Sequence, residues 1–344
     1  MAILIVGLIG IHFFTAYRTS RTPVSFSYSE DLTAWKPTSF YPMQFGTVLT
    51  TASYDNLEHN SISVIDANLN MLITTGAKAV RIDLGYDAWL LNNQTAINEM
   101  TTIVSAIKND GLQLIIADAS AETYRHNPLP WSQFQSAWIQ RVSTLAKLYQ
   151  PNYYIAVKEP GWYVGMVSDA RTNPAFQSVA SWTNLTDSLA AAVHSVSPET
   201  QVGIAISATS LDSQPTFYVP YLNAADQITG IAFLGFDIYT PSAFNATSDY
   251  VHTSSPVKPL WVAEAWSAPS PPTNPAMANS DAVWIDALYY FAQSQIHASI
   301  VIPFYDLAFA QYAKLSGSVV PSVSFFNSRT PVFYEYRRII QSNP

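Results

Sequence analysis

Two glutamates stand in segments suited to chemistry: Glu159 in YYIAVKEPGWY (153–163) and Glu264 in KPLWVAEAW (258–266). Each closes a run of apolar, β-favouring residues, and each has a tryptophan two or three residues further on. A carboxyl at the end of a strand sits at the rim of a sheet. Two of them about 5 Å apart can divide acid and nucleophile between them, one protonating a leaving oxygen while the other attacks the carbon it leaves. Their repulsion helps, because negative charge on one holds the proton on the other. Arg81, in an earlier apolar run, is placed to keep Glu264 ionised, and Tyr239 to donate a hydrogen bond to it.

The elements that must position these residues are legible as alternating short apolar runs and longer amphipathic stretches. Strands are predicted at 43–48, 79–84, 112–118, 153–159, 201–206, 230–237, 259–264 and 299–305. Helices are predicted near 57–75, 93–110, 132–149, 176–196, 217–226, 243–253, 280–296 and 330–341, the fifth and sixth on the weakest signals. Gly76 and Gly111 fall where helices should stop. The strands are continuously apolar rather than alternating, as when both faces are buried. Eight such pairs point to a closed (β/α)8 TIM barrel, with a doubly wound open sheet as the alternative. No linker interrupts residues 41–344, so one barrel domain is expected there, after an irregular lead-in at 18–40. In such a barrel the strand ends at the C-terminal face carry the chemistry. The first and last glutamates of interest would then end strands four and seven, on opposite sides of the mouth.

Four segments, in order, resemble glycoside hydrolase clan A, the barrel enzymes that include the family 5 cellulases and mannanases. GAKAVRIDLGYDAW (76–89) resembles the second-strand segment with its arginine, and YYIAVKEPGWY the fourth-strand segment ending in the acid/base Glu-Pro. FLGFDIYTP (233–241) resembles the sixth strand with its tyrosine, and KPLWVAEAW the seventh with the nucleophile. The interval between residues 159 and 264 is also typical of the clan. The resemblance implies that Glu159 is the general acid/base, Glu264 the nucleophile, Arg81 the arginine beside it and Tyr239 its hydrogen-bonding tyrosine.

The chain also departs from that pattern. Lys158 stands where the clan has an asparagine that binds the sugar 2-hydroxyl. An ammonium beside Glu159 would lower that carboxyl's pKa, suiting an enzyme of acid media; it could instead bind an acidic sugar, or mark a barrel that has lost catalysis. Ala117-Asp118-Ala119 and Asp237-Ile238-Tyr239 occupy regions where family 5 members carry histidine, and strand eight has Phe304 and Tyr305 in place of a tryptophan. Lys158, Asp118, Asp237, Trp89, Trp162, Trp266 and Tyr305 are the candidates for holding substrate. Trp131 is a further loop aromatic that could stack on a sugar ring.

Composition narrows the partners. A net charge of −8 with no basic stripe argues against nucleic acid. There is no cysteine, and no two of the six histidines have the i, i+4 spacing of a helical zinc site. No phosphate loop or dinucleotide fingerprint is present, so no metal or cofactor is expected. Charged residues make up 12%, against about 25% in an average domain. The polar surface must then be largely uncharged, as suits an acidic medium. Residues 1–17, MAILIVGLIGIHFFTAY, are apolar and followed by Arg18 and Arg21. The run is short of the roughly 20 residues of a comfortable span and resembles a signal peptide or short membrane anchor. Sequons at Asn93, Asn184 and Asn245 agree with export. The expectation is a retaining β-glycoside hydrolase, secreted or anchored to the outer face of the membrane, acting on an extracellular saccharide. Its rivals are a non-catalytic carbohydrate-binding barrel of the cell envelope and a transglycosidase using the same residues.

Overall fold

Strands with two buried faces need partners on both edges and helices outside them, and a closed ring supplies both. The computed structural model describes residues 36–37, 40–53, 56–84, 93–118, 129–160, 173–267, 278–304 and 322–343. Within them β1 (Gln44–Val48), β2 (Ala79–Leu84), β3 (Gln113–Asp118), β4 (Tyr153–Lys158), β5 (Gln201–Ser207), β6 (Phe233–Ile238), β7 (Leu260–Ala265) and β8 (Ile300–Pro303) form a closed barrel in sequence order. Neighbouring strands run parallel throughout, including β1 with β8. The fold is the expected (β/α)8 barrel.

The principal helices are α1 (Ile62–Ile73), α2 (Gln94–Asn109), α3 (Trp131–Tyr149), α4 (Val179–Val196), α5 (Pro215–Asp226), α6 (Pro241–Ser254), α7 (Ala278–Ser294) and α8 (Pro331–Ser342). The helices with the weakest sequence signals, α5 and α6, are both present, each with proline in its first turn, where the missing N–H has no partner to lose. Gly76 and Gly111 take φ of +95° and +71° after α1 and α2, where only glycine turns without strain. The first helix differs from expectation. It is split into a single turn at Asn56–His59 and α1, because Ser61 is extended and the Asn60 amide bonds the carbonyls of Thr51 and Asn56.

The apolar residues form two bodies. A sheath lies between strands and helices, and a smaller cluster inside the ring includes Val48, Ala79, Ile115, Ile155, Phe233, Trp261 and Ile300. Within the ring the Phe233 and Trp261 rings stack with centroids 3.6 Å apart, and Tyr153 meets Trp261 edge-on at 4.9 Å. Gly203 makes room for them, since a Cβ there would collide with the Phe233 ring. These bulky side chains come from the starts of β4, β6 and β7. They fill the end of the barrel away from the strand C-termini, leaving polar residues to line the mouth.

Candidate active site

Alternation along a strand would send Lys158 and Glu264 to the helix side, because Ile155 and Ala263 already point inward. Two β-bulges change this. In β4 the register passes from Ile155 opposite Gly203 to Val157 opposite Ile204, so Ala156 is an extra residue. Lys158 then lies opposite the inward Ala205. In β7 the register passes from Val262 opposite Phe236 to Glu264 opposite Asp237, making Ala263 the extra residue. Each bulge turns one charged side chain into the barrel, a common use of bulges beside active sites. Glu159 reaches the mouth by a third device. Its φ is +47°, a left-handed conformation unusual for glutamate and more so before Pro160, and of the kind that costs about 1–3 kcal/mol.

The carbonyl of Ala263 accepts Arg81 Nη1 at 2.6 Å. The rest of that guanidinium grips two carboxylates. Nε and Nη2 donate to Asp83 at 2.5 and 2.8 Å, and Nη2 also to Glu264 Oε2 at 2.6 Å. Lys158 Nζ donates to Asp83 Oδ2 at 2.8 Å and lies 3.0 Å from Glu264 Oε2. Two cations and two anions thus close a network in which every member is buried. Burial alone would raise the Asp83 carboxyl, but Arg81 and Lys158 overcome it and hold Asp83 well below the usual carboxylate range. Burial likewise opposes the charge on Arg81, and Asp83 and Glu264 restore it. The lysine that sequence placed beside Glu159 therefore pairs with Asp83 and the other glutamate.

Tyr239 OH donates to Glu264 Oε1 at 2.9 Å and stands 3.4 Å from Glu159 Oε1. A shared neighbour at these distances limits the separation of the two Oε1 atoms to their sum, about 6.3 Å. Burial, then the charges of Glu159 and Glu264, push the phenol well above its usual pKa, so it stays a donor. Asp237 lies in the same mouth, buried, and its carboxyl is pushed well above the usual range by burial, then by Glu159 and Glu264. Trp266 packs on Tyr239 with centroids 4.2 Å apart and on Phe304 at 5.3 Å, walling one side.

No family model matches the sequence, and no curated protein does. Solved structures do match the fold. A β-glucosidase from Thermotoga maritima, in complex with azafagomine, aligns with a TM-score of 0.63 over 90% of this chain and 99% of its own, at 11% identity. The exo-β-1,4-mannosidase Op5Man5 from Opitutaceae bacterium strain TAV5 aligns at 0.62 and 11% identity over 88% of this chain, which spans 60% of the mannosidase. Fungal β-1,4-galactanases align at 0.56 and 17% identity, over 83% of this chain and 98% of theirs. The fold is the (β/α)8 barrel that these solved glycosidases also have. At these identities the likeness concerns the fold alone.

Within this barrel Glu159, Glu264, Arg81, Tyr239, Lys158, Asp237 and Trp266 converge on one mouth. Asp118 does not join them. It follows the outward Ile116 on β3, and its carboxylate accepts Tyr154 OH at 2.9 Å and pairs with Arg141 of α3 at 3.4 Å. The expected substrate ligand is thus a tie between strand and helix. Asp118→Asn should lower stability by about 2 kcal/mol, as for a hydrogen bond to a charged group, and leave kcat of the wild type in place; denaturant titration and kinetics check this. Trp131 packs in an aromatic group with Phe134, Phe176 and Trp182, at centroid distances of 5.7, 4.8 and 5.5 Å. Trp89, Trp162 and Tyr305 lie outside the described residues. Asp83 is the member that sequence reasoning left out of the site. Its signal was the i, i+2 spacing from Arg81, which puts both on one face of β2.

Proposed function

We propose that this chain is a retaining β-glycoside hydrolase acting on an extracellular polysaccharide or oligosaccharide, without a cofactor. The observation that carries the reading is the pair Glu159 and Glu264 gathered around one tyrosine hydroxyl, with their nearer oxygens within about 6.3 Å. Inverting enzymes hold their carboxyls about 6.5–9.5 Å apart to admit a water between them; retaining ones keep them about 5–5.5 Å apart. In the first step Glu264 attacks the anomeric carbon while Glu159 gives its proton to the leaving oxygen. A glycosyl ester forms on Glu264 and the aglycone departs as an alcohol. In the second step Glu159 takes a proton from water, whose oxygen attacks the anomeric carbon and releases Glu264 as a carboxylate.

The network assigns parts to the other residues. Arg81 and Lys158 hold Glu264 Oε2, and Tyr239 orients Oε1. Trp266, half-buried beside Tyr239, offers an aromatic wall for a sugar ring. Because Lys158 is already paired with two carboxylates, the reading of it as a receptor for an acidic sugar loses its support. We further propose secretion or tethering through residues 1–17.

The test is a panel of β-linked glycans and aryl β-glycosides between pH 3 and 7, with the anomer released first followed by proton NMR. Release of the β-anomer supports the double displacement, and first release of the α-anomer overturns it. Transfer to added sugar acceptors in preference to water would make the protein a transglycosidase. Saccharide binding without turnover at any pH would make it a binding protein.

A further inference from the structure

Asp237 has no exposed surface, and neither carboxyl oxygen has a hydrogen-bond partner among the described residues. It lies opposite Glu264 across the β6–β7 register and two residues before Tyr239, which follows the end of β6. The charges that act on it are Glu159 just after β4, Lys158 at the end of β4, Arg81 from β2 and Glu264 from β7; its β5 neighbour, Ser207, carries none. An unpaired carboxylate in such a place is strongly disfavoured, so the group keeps its proton. Burial and the two glutamates push its pKa in that same direction. An O–H held in the mouth with no acceptor among the described residues of the resting site is a donor waiting for an acceptor to form.

We propose that Asp237 is a positioning residue that acts through Glu159, a buried neutral acid that stabilises Glu159 when that residue becomes a carboxylate. This rests on the glycosidase reading above. In the resting site the pair carries one negative charge, on Glu264. When the glycosyl ester forms, Glu264 becomes neutral and Glu159, having given its proton to the leaving oxygen, carries the charge. Asp237 faces one negative charge before and after, so it holds its proton through the cycle and exchanges none. What changes is where the charge sits. It moves onto Glu159, whose Oε1 stands 3.4 Å from the hydroxyl of Tyr239, two residues beyond Asp237.

The test compares wild type with Asp237→Asn, which keeps a neutral donor, and Asp237→Leu, which does not. With an unactivated alkyl β-glycoside the first step, in which Glu159 gives up its proton and acquires the charge, limits kcat. There Asp237→Leu should lower kcat at least about tenfold, and Asp237→Asn should recover most of that loss. The alkaline limb of the pH profile should coincide in wild type and Asp237→Asn, both being neutral at this position. Equal kcat in the two variants, or an alkaline limb displaced by more than about half a pH unit, would overturn the proposal. Thermal unfolding supplies a readout independent of turnover. A carboxyl whose folded pKa is raised contributes most below the ordinary carboxylate range and loses that contribution as pH rises. The stability of Asp237→Asn relative to wild type should therefore grow from pH 4 to 8, and a constant difference would show Asp237 ionised. If that difference grows but the wild type cleaves no glycoside, the glycosidase reading fails and takes the role at Glu159 with it, while the proton on Asp237 stands.

Discussion

Replacing Glu264 by glutamine should leave a folded barrel whose turnover of β-glycosides has fallen at least about a hundredfold, and Glu159→Gln should do the same. The two losses differ in kind. Without Glu264 no ester can form, so the defect appears with every leaving group. Without the acid at 159, an aryl leaving group that departs unaided still allows the first step, and the ester accumulates because no base activates water. A small anion separates them further. In Glu264→Ala, azide enters the space of the missing carboxylate and attacks from that side, giving an α-glycosyl azide. In Glu159→Ala it attacks the ester from the opposite side, giving a β-glycosyl azide. Full activity in Glu264→Gln, or the same azide anomer from both alanine variants, would remove Glu264 as nucleophile. Each variant needs its unfolding curve beside its kinetics, because Glu264 also balances two buried cations.

Sequence revealed the barrel more completely than it revealed the mouth. All eight strands were legible because both of their faces are buried, so each reads as a short apolar block set off by helical stretches. The same uniformity hides orientation. LQLIIAD has no polar alternation to say which residues face inward, and Asp118, one position from the inward Ala117, faces α3. The glutamates were found because carboxylates at strand ends are conspicuous, but the means that aim them were not. Ala156 and Ala263 carry no glycine or proline signal of a bulge, and nothing in KEP announces a left-handed glutamate. Lys158 was read from its neighbour in the chain, Glu159. The bulge that turns its side chain inward brings it instead to residues 75 and 106 positions away, Asp83 and Glu264. That arrangement depends on barrel closure between β2, β4 and β7, a long-range fact that local spacing does not encode.

Asp83 is where that network is most exposed to a single change. Asp83→Asn removes the partner that Arg81 and Lys158 share and leaves Glu264 to balance both cations in a buried site. Breaking one side of such a pairing costs about 3–5 kcal/mol, a large share of the stability of an ordinary domain. The pH dependence follows from the direction of the Asp83 shift. A depressed carboxylate contributes stability above its unfolded pKa of about 3.9, and loses it only as pH falls through the lower folded value. The gap between wild type and Asp83→Asn should accordingly be flat from about pH 5 to 7 and narrow only in strong acid. Urea titrations across that range measure it; a gap that closes already at pH 5 would mean that Arg81 and Lys158 do not hold Asp83 ionised. The second half of the test restores the charge balance. Asp83→Asn combined with Lys158→Met leaves Arg81 facing Glu264, one cation and one anion, and should recover about half of the lost stability, as expected for coupled neighbours. If the double variant is instead as unstable as the sum of its parts, Lys158 and Asp83 act independently. The lysine beside Glu159 would then need an explanation other than support of the opposing glutamate.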